Sequence, residues 1–276
     1  MNFSNPPQNF NALRDHIIGQ HPHLPKRLAQ IAAFALEQPD EIALGTAVSI
    51  AKKAQVQPST LIRFAQALGY PGFTDLQAVF RDRLREKVLN YEERLNRVIA
   101  HGHDRPHEDI LLEGFAEAAF RSTARLRDQI DPGQLAKAAQ ILAKAETIYI
   151  AGLRRSFPIA AYIAYALGKL GIKYCLLGAT GGLEPELIEL ATPQDALLVI
   201  SYTPYAEATV NLTNQAAAKN SAIVAITDSP LSPVAEKAHL WFELVEADFE
   251  GFRSLAASFT LAASLTLAIA HHRRSR

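Results

Sequence analysis

Between residues 147 and 271, short apolar runs rich in β-formers alternate with helical patterns, and this alternation constrains the fold more than any other property of the chain. The runs predict strands at 147–151, 173–177, 196–200, 222–226 and 239–244. The segments between and after them predict helices at 157–170, 183–191, 205–219, 230–237 and 251–271. Ala196-Leu197-Leu198-Val199-Ile200 contains no polar residue, so both faces of that strand need apolar cover. A strand buried on both sides belongs to a parallel sheet enclosed by helices, a three-layer α/β/α sandwich with Rossmann-like winding. Ligands of such sheets bind at the carboxyl ends of the strands, where helix N-termini point. Two further helices, Ile110–Ile130 and Pro132–Ala145, precede the first strand.

Three strand-end loops carry candidate chemistry. In Gly152-Leu153-Arg154-Arg155-Ser156, Gly152 permits a sharp turn, while Arg154 and Arg155 add positive charge. Ser156 either presents its hydroxyl to an anion at the free amides of the helix start or simply caps that helix. The run is not a GxGxxG fingerprint, so dinucleotide binding has little support. In Ser201-Tyr202-Thr203-Pro204-Tyr205-Ala206-Glu207, Ser201 and Thr203 offer hydroxyls to a phosphate beside the next helix start. The prolines and hydroxyls of Thr227–Pro233 are explained as well by turn and capping chemistry.

The first third of the chain has a different character. Residues 1–20 are polar, contain Pro6-Pro7 and are expected to be loosely ordered. From Leu24 to about Leu84 the pattern is helical, with a first helix opened by Pro25 and ended at Gln38-Pro39-Asp40. Thr46 to Phe73 then reads as two short helices joined by a tight turn at Ala54-Gln55-Val56. Pro58 fits a first helical turn, where its missing amide has no partner to lose. Leu61, Phe64, Ala65 and Leu68 face inward at helical spacing, Ser59, Thr60, Arg63 and Gln66 face outward, and Gly69 ends the helix. Hydroxyl, amide and guanidinium groups in a row on a second helix are what major-groove reading requires. Between Ser49 and Lys87 there are seven basic and three acidic residues, although the whole chain balances 28 against 28. Lys52 and Lys53 precede the turn, and Arg81, Arg83, Arg85 and Lys87 follow on the next helix, so phosphate contacts are within reach. The expected DNA-binding set is Lys52, Lys53, Gln57, Ser59, Thr60 and Arg63. A helical hairpin with a merely solvated polar face is the bland alternative.

After Tyr70-Pro71-Gly72-Phe73, Thr74 is expected to cap a long helix starting at Asp75. Leu76, Phe80, Leu84, Val88, Tyr91, Leu95 and Ile99 make it a thin apolar stripe, suited to a connection or to pairing with a partner subunit. His101, His103 and His107 mark a linker; no carboxylate or cysteine joins them at metal-ligand spacing. The expected division is residues 1–84 for DNA binding, 85–112 for a linker helix and 113–276 for effector binding. The single cysteine, Cys175, excludes an internal disulfide and fits a reducing cytoplasm. Its apolar strand setting marks it as structural. The longest apolar run, Ala256–Ala270, is too short to span a membrane and reads as a buried helix.

With these features together, the chain resembles the RpiR/MurR family of bacterial transcription regulators, which join an N-terminal helix-turn-helix domain to a C-terminal SIS (sugar isomerase) domain. The resemblance runs from about Leu24 to Leu267. It rests on SIAKKAQVQPSTLIRFAQALGYPGF, on the strand-Gly-x-x-x-Ser-helix at 147–157, on Ser201-Tyr202-Thr203, and on AITDSPLSPVAEKAHLWFEL. The family implies phosphosugar sensing, with Gly152, Arg154, Arg155, Ser156, Ser201, Tyr202 and Thr203 as the effector set here. The sequence departs from the family where SIS domains carry Gly-x-Gly-x-Ser, since Arg154 stands at the second glycine. It departs again at the Ser-x-Ser-Gly-x-Thr loop, where Thr203, Pro204 and Ala206 replace the second Ser, the Gly and the Thr.

The resemblance implies a cytoplasmic, double-stranded-DNA-binding regulator that senses a small anionic metabolite such as a sugar phosphate. It is expected to act as a homodimer or tetramer, without cofactor, metal or membrane contact. Two other functions compete. A sugar-phosphate isomerase would need a base, for which Glu184, Glu186 and Glu207 are candidates. A sugar-binding partner of another protein leaves the basic helix-turn-helix unexplained.

Overall fold

The computed structural model describes residues 6–88, 95–96, 98 and 106–274. It divides the chain into two compact units, Met1–His103 and Asp104–Arg276.

The first unit is helical. Helix α1, Phe10–Gln20, begins at Asn9, whose side chain accepts the amide of Ala12, and buries Leu13 and Ile17. The polar N-terminal stretch expected to be loosely ordered therefore contains a helix. Two apolar residues at i, i+4 suffice to seat it, and Phe10 stacks edge-on against Phe80. Helix α2, Lys26–Glu37, buries Ile31, Ala32, Ala35 and Leu36. A short helix absent from the sequence reading, α3 (Pro39–Leu44), follows at once, with Pro39 in its first turn. Gln77, nearly buried, donates to the carbonyls of Ile42 and Gly45 at 2.8 Å each, and Arg81 donates to Ala43. These bonds satisfy the carboxyl end of α3 and fix it to α6, Phe73–Val88. Helix α6 begins two residues before the expected Asp75. Tyr91, Ile99, His101 and His103, assigned to the stripe and linker, lie outside the described residues.

The second unit opens with α7, His107–Gln129, and α8, Pro132–Lys144, the latter capped by Asp131 on the Gln134 amide. Five strands follow: β1 Ile148–Ala151, β2 Tyr174–Leu177, β3 Ala196–Ser201, β4 Ala222–Thr227 and β5 Leu240–Glu243. They form one parallel sheet in the order β2-β1-β3-β4-β5. One face packs on α8, α9 (Phe157–Lys169) and α13 (Ala256–Arg274). The other packs on α10 (Glu184–Glu189), α11 (Glu207–Ala218) and α12 (Pro233–Lys237). Every residue of β1 and β3 is buried, as their unbroken apolar runs require. The edge strand β2 is more open, and burial of its half-exposed Cys175 raises the thiol pKa.

Two spans differ from the sequence reading. Helix α12 starts at Pro233, where Ser232 caps it, instead of near Pro230. The segment expected to start the last helix at 251 forms a hairpin: β6, Asp248–Phe249, pairs antiparallel with β7, Phe252–Arg253. Asp248 accepts the Gly251 amide in that turn at 2.9 Å, and a long helical pattern downstream hid the hairpin. Among the described residues, no helix is long and apolar enough to cross a membrane.

Candidate functional site

Helices α4, Ala47–Lys53, and α5, Pro58–Ala67, form the helix-turn-helix. Thr46 and Ser49 close a capping box at the start of α4. Gln55 turns the chain between the helices with φ of 54°, and Gln30 of α2 holds the turn by donating to the Ala54 carbonyl at 2.9 Å. The end of α5 is fixed by Gly69, whose φ of 88° suits a residue lacking Cβ. Gly69 donates to Gln66 and Tyr70 to Ala65, the paired bonds of a Schellman cap.

This seat buries Leu61, Phe64, Ala65 and Leu68 and turns the opposite face of α5 outward. Gln57, Ser59 and Arg63 are exposed, as is Gln66, while Thr60 is half-buried. Gln57 stands at the N-cap of α5 without a side-chain cap bond. Lys52 is exposed, and exposed Lys53 pairs with Glu41 at 2.6 Å. The basic residues of α6 do not all face outward. Arg83 pairs with Asp40 at 2.8 Å, lies 4.5 Å from the centre of the Phe10 ring and leaves only 12% of its side chain exposed. The tertiary fold therefore uses Arg83 internally, a role its sequence position beside other cations concealed.

In the second unit, strand order reverses direction between β1 and β3, and crevices form at such switch points. The loops 152–156 and 201–206 leave the carboxyl ends of these two neighbouring strands. Gly152 is buried, and a Cβ there would lie 3.0 Å from the Ser156 carbonyl and 3.1 Å from the Ala160 methyl. Arg154 adopts φ of 54° at the start of a single 3-10 turn through Ser156. Arg154 and Arg155 are exposed, whereas Ser156 is buried and its side chain makes no helix-capping bond. Of the two readings of Ser156, the simple cap is therefore absent.

Ser201 ends β3 and is buried in register with Thr227 at the end of β4. The Thr227 hydroxyl is buried without a hydrogen-bond partner. Tyr202 turns into the core, where its hydroxyl meets that of Ser258 at 2.8 Å. Ser258 in turn donates its amide and hydroxyl to Glu246 at 2.7 and 2.8 Å. Burial is the main cause raising the Tyr202 pKa, and the Glu246 charge adds to it.

Thr203 points to a residue that sequence reasoning treated only as turn chemistry. Asp228, 5% exposed, accepts the Thr203 amide at 3.0 and 3.2 Å, the Thr203 hydroxyl at 3.3 Å and the Tyr205 hydroxyl at 3.0 Å. The Arg253 guanidinium stands 3.9 Å away. Burial, followed by the Asp228 charge, raises the Tyr205 pKa. The Thr203 hydroxyl expected to meet a ligand's anion, and the Thr203 amide beside it, already hold the protein's own carboxylate. The available sequence signal was an acid directly after a buried strand, at the same sheet edge as the hydroxyl loop.

A family model described as the helix-turn-helix domain of the rpiR family matches residues 12–87, and a SIS domain model matches residues 141–271. Solved structures share the fold. The Vibrio vulnificus NanR protein complexed with ManNAc-6P is 17% identical, with 95% of this chain and 92% of that one covered and a TM-score of 0.57. The sugar isomerase domain of an RpiR transcription factor from Sphaerobacter thermophilus is 21% identical, covering 59% of this chain and 91% of that one, with a TM-score of 0.55. The c3406 protein of E. coli CFT073 is 18% identical, covering 62% of this chain and 94% of that one, with a TM-score of 0.52.

Proposed function

We propose that this chain, which belongs to the rpiR family of helix-turn-helix regulators and carries a SIS domain behind that helix-turn-helix, reads operator DNA through α5 and answers to a small anionic metabolite. The observation that carries the DNA reading is the division of α5. One face is buried on the helical unit, and the other presents Ser59, Arg63 and Gln66 to solvent at helical spacing. Gln57, Ser59, Thr60 and Arg63 meet base edges, while Lys52 and Lys53 meet phosphates. One such helix covers too few base pairs for useful specificity, so the protein works as a homodimer or higher oligomer on a two-part site. Exposed Leu112, Phe115 and Phe120 on α7 offer apolar surface for that pairing. The assembly acts in the cytoplasm.

The effector site is the crevice between β1 and β3. Gly152, Arg154, Arg155 and Ser156 line one side, and Ser201 and Thr203 contribute from the other, with Tyr202 available only through its backbone because its side chain lies in the core. A sugar phosphate is the favoured class, supported by the ManNAc-6P named for the NanR neighbour. Its phosphate must displace Asp228 from the Thr203 amide or bind beside it, drawing on Arg154 and Arg155 for charge. Catalysis has weaker support. Glu184, an isomerase-base candidate, has its pKa lowered chiefly by backbone hydrogen bonding and by Thr180, opposite to the tuning of a base toward neutrality. Glu186 and Glu207 are exposed on their helices.

The test has two parts. The full chain is used to select duplexes from a random library and from its own upstream region, and binding is measured against salt. A thermal-shift panel of sugar phosphates then identifies ligands that also change DNA affinity. Selection of no sequence above background would refute DNA reading. Turnover of a panel compound without any change in DNA binding would favour the isomerase.

A further inference from the structure

Ile62 is out of place on α5. Its neighbours Leu61, Phe64 and Ala65 are buried, yet Ile62 is 50% exposed. It shares the outward stripe with Ser59, Arg63 and Gln66, the i, i+3, i+4 and i+7 positions of one helical face. A β-branched side chain is a poorer helix former than leucine or alanine, and half of its apolar surface stays in water. Local helix stability therefore does not explain it, and the remaining stripe is polar.

We infer that Ile62 is a specificity residue that packs on the C5-methyl group of a thymine in the operator. The inference rests on the reading of α5 as the DNA-reading helix and adds a chemistry that reading lacks. Hydroxyl, amide and guanidinium groups distinguish donor and acceptor patterns on base edges. The thymine methyl, in contrast, is the apolar group on the major-groove edges, and it is recognised by apolar contact. An aliphatic side chain set between Ser59 and Gln66 supplies that contact within the same footprint. Exposed Lys52 and Arg63 give the surrounding surface the positive charge that suits phosphate-flanked DNA better than an apolar protein partner. Ile62 therefore selects thymine beside the base that Arg63 reads.

The experiment uses the full chain and its selected operator, with each thymine replaced in turn by uracil. That replacement removes one methyl group and leaves the hydrogen-bonding edge unchanged. At one position in each half-site, wild type should lose about 4-fold in affinity, the worth of one buried methyl. Ile62→Ala should bind the thymine operator more weakly and be indifferent to uracil at that position alone. Ile62→Val, which keeps a branched apolar side chain, should retain part of the discrimination. Circular dichroism and Arg63-dependent binding confirm that the variants remain folded. If every thymine-to-uracil effect persists unchanged in Ile62→Ala, the inference is overturned while DNA reading stands. Should Ile62→Ala alter only the oligomeric state, the residue is a protein contact and the inference likewise fails. Failure of wild type to select any operator would remove both readings.

Discussion

The carboxylate of Asp228 accepts the backbone amide of Thr203 at 3.0 and 3.2 Å, joining the ends of two neighbouring strands through a buried anion. A phosphate approaching the same amide meets like charge in a poorly solvated place, where repulsion is stronger than in water. Asp228→Asn keeps a carbonyl acceptor for the loop and removes that charge. It should tighten sugar-phosphate binding by on the order of 10-fold in titration calorimetry. Unchanged or weaker binding would show that the effector never contests this position.

Arg63 extends from the exposed face of α5 and is spaced from the buried residues that hold the helix. Arg63→Ala should therefore cost about 1–3 kcal/mol in operator binding while leaving the melting temperature unchanged. Lys52→Ala should weaken operator and random DNA alike and flatten the salt dependence by about one unit. Anisotropy titrations at several salt concentrations separate the two behaviours. Equal losses on operator and random DNA for Arg63→Ala would reassign it to phosphate contact.

Gly152 is required by packing. An added methyl would meet the Ser156 carbonyl and the Ala160 methyl at 3.0 and 3.1 Å, both belonging to the turn that starts α9. Gly152→Ala should destabilise the second unit by about 1–3 kcal/mol through this crowding. Denaturant unfolding followed by Trp241, the single tryptophan and a residue of β5, would measure the loss.

Asp195 accepts the amides of Thr147 and Thr192, each at 2.9 Å, and the Thr192 hydroxyl at 2.8 Å, tying the entrances of β1 and β3 together. Burial alone would raise its pKa, but the bonds from Thr192 and Thr147 outweigh it and the pKa falls below its ordinary value. The folded state therefore binds this proton less readily than the unfolded chain. The stabilisation is fully present above the ordinary carboxylate range and is lost as pH falls through the lowered folded value. Asp195→Asn should cost about 2–3 kcal/mol at neutral pH, since the amide nitrogen cannot accept. The gap from wild type should narrow on acidification, again read by Trp241. A gap independent of pH would contradict the assignment.

What the sequence disclosed follows the range of the interactions involved. The buried strands β1, β3 and β4 were legible because an unbroken apolar run has few other places to go. The division of α5 into buried and exposed faces followed from spacing alone. Helix α1 was missed because its contacts are tertiary: Leu13 and Ile17 are isolated in a polar stretch, and Phe10 finds Phe80 only after folding. The β6–β7 hairpin was covered by the helical pattern beyond it. Asp228 reaches Thr203 across 25 residues, a pairing that strand order creates and composition does not announce. Arg83 stands among cations in the sequence, and only the fold brings it to Asp40, 43 residues upstream.

Tyr70 follows directly on the cap that ends α5, and its phenol donates to the carbonyl of Pro7, just ahead of α1. Burial moves that phenol's pKa up to about 12, so it remains a neutral donor at any physiological pH. The end of α5 is thus moored to the segment just ahead of α1. A protein shortened to start at Leu24 would lose this anchor together with the buried Leu13 and Ile17 of α1, so the packing behind the helix-turn-helix would loosen along with the end of α5.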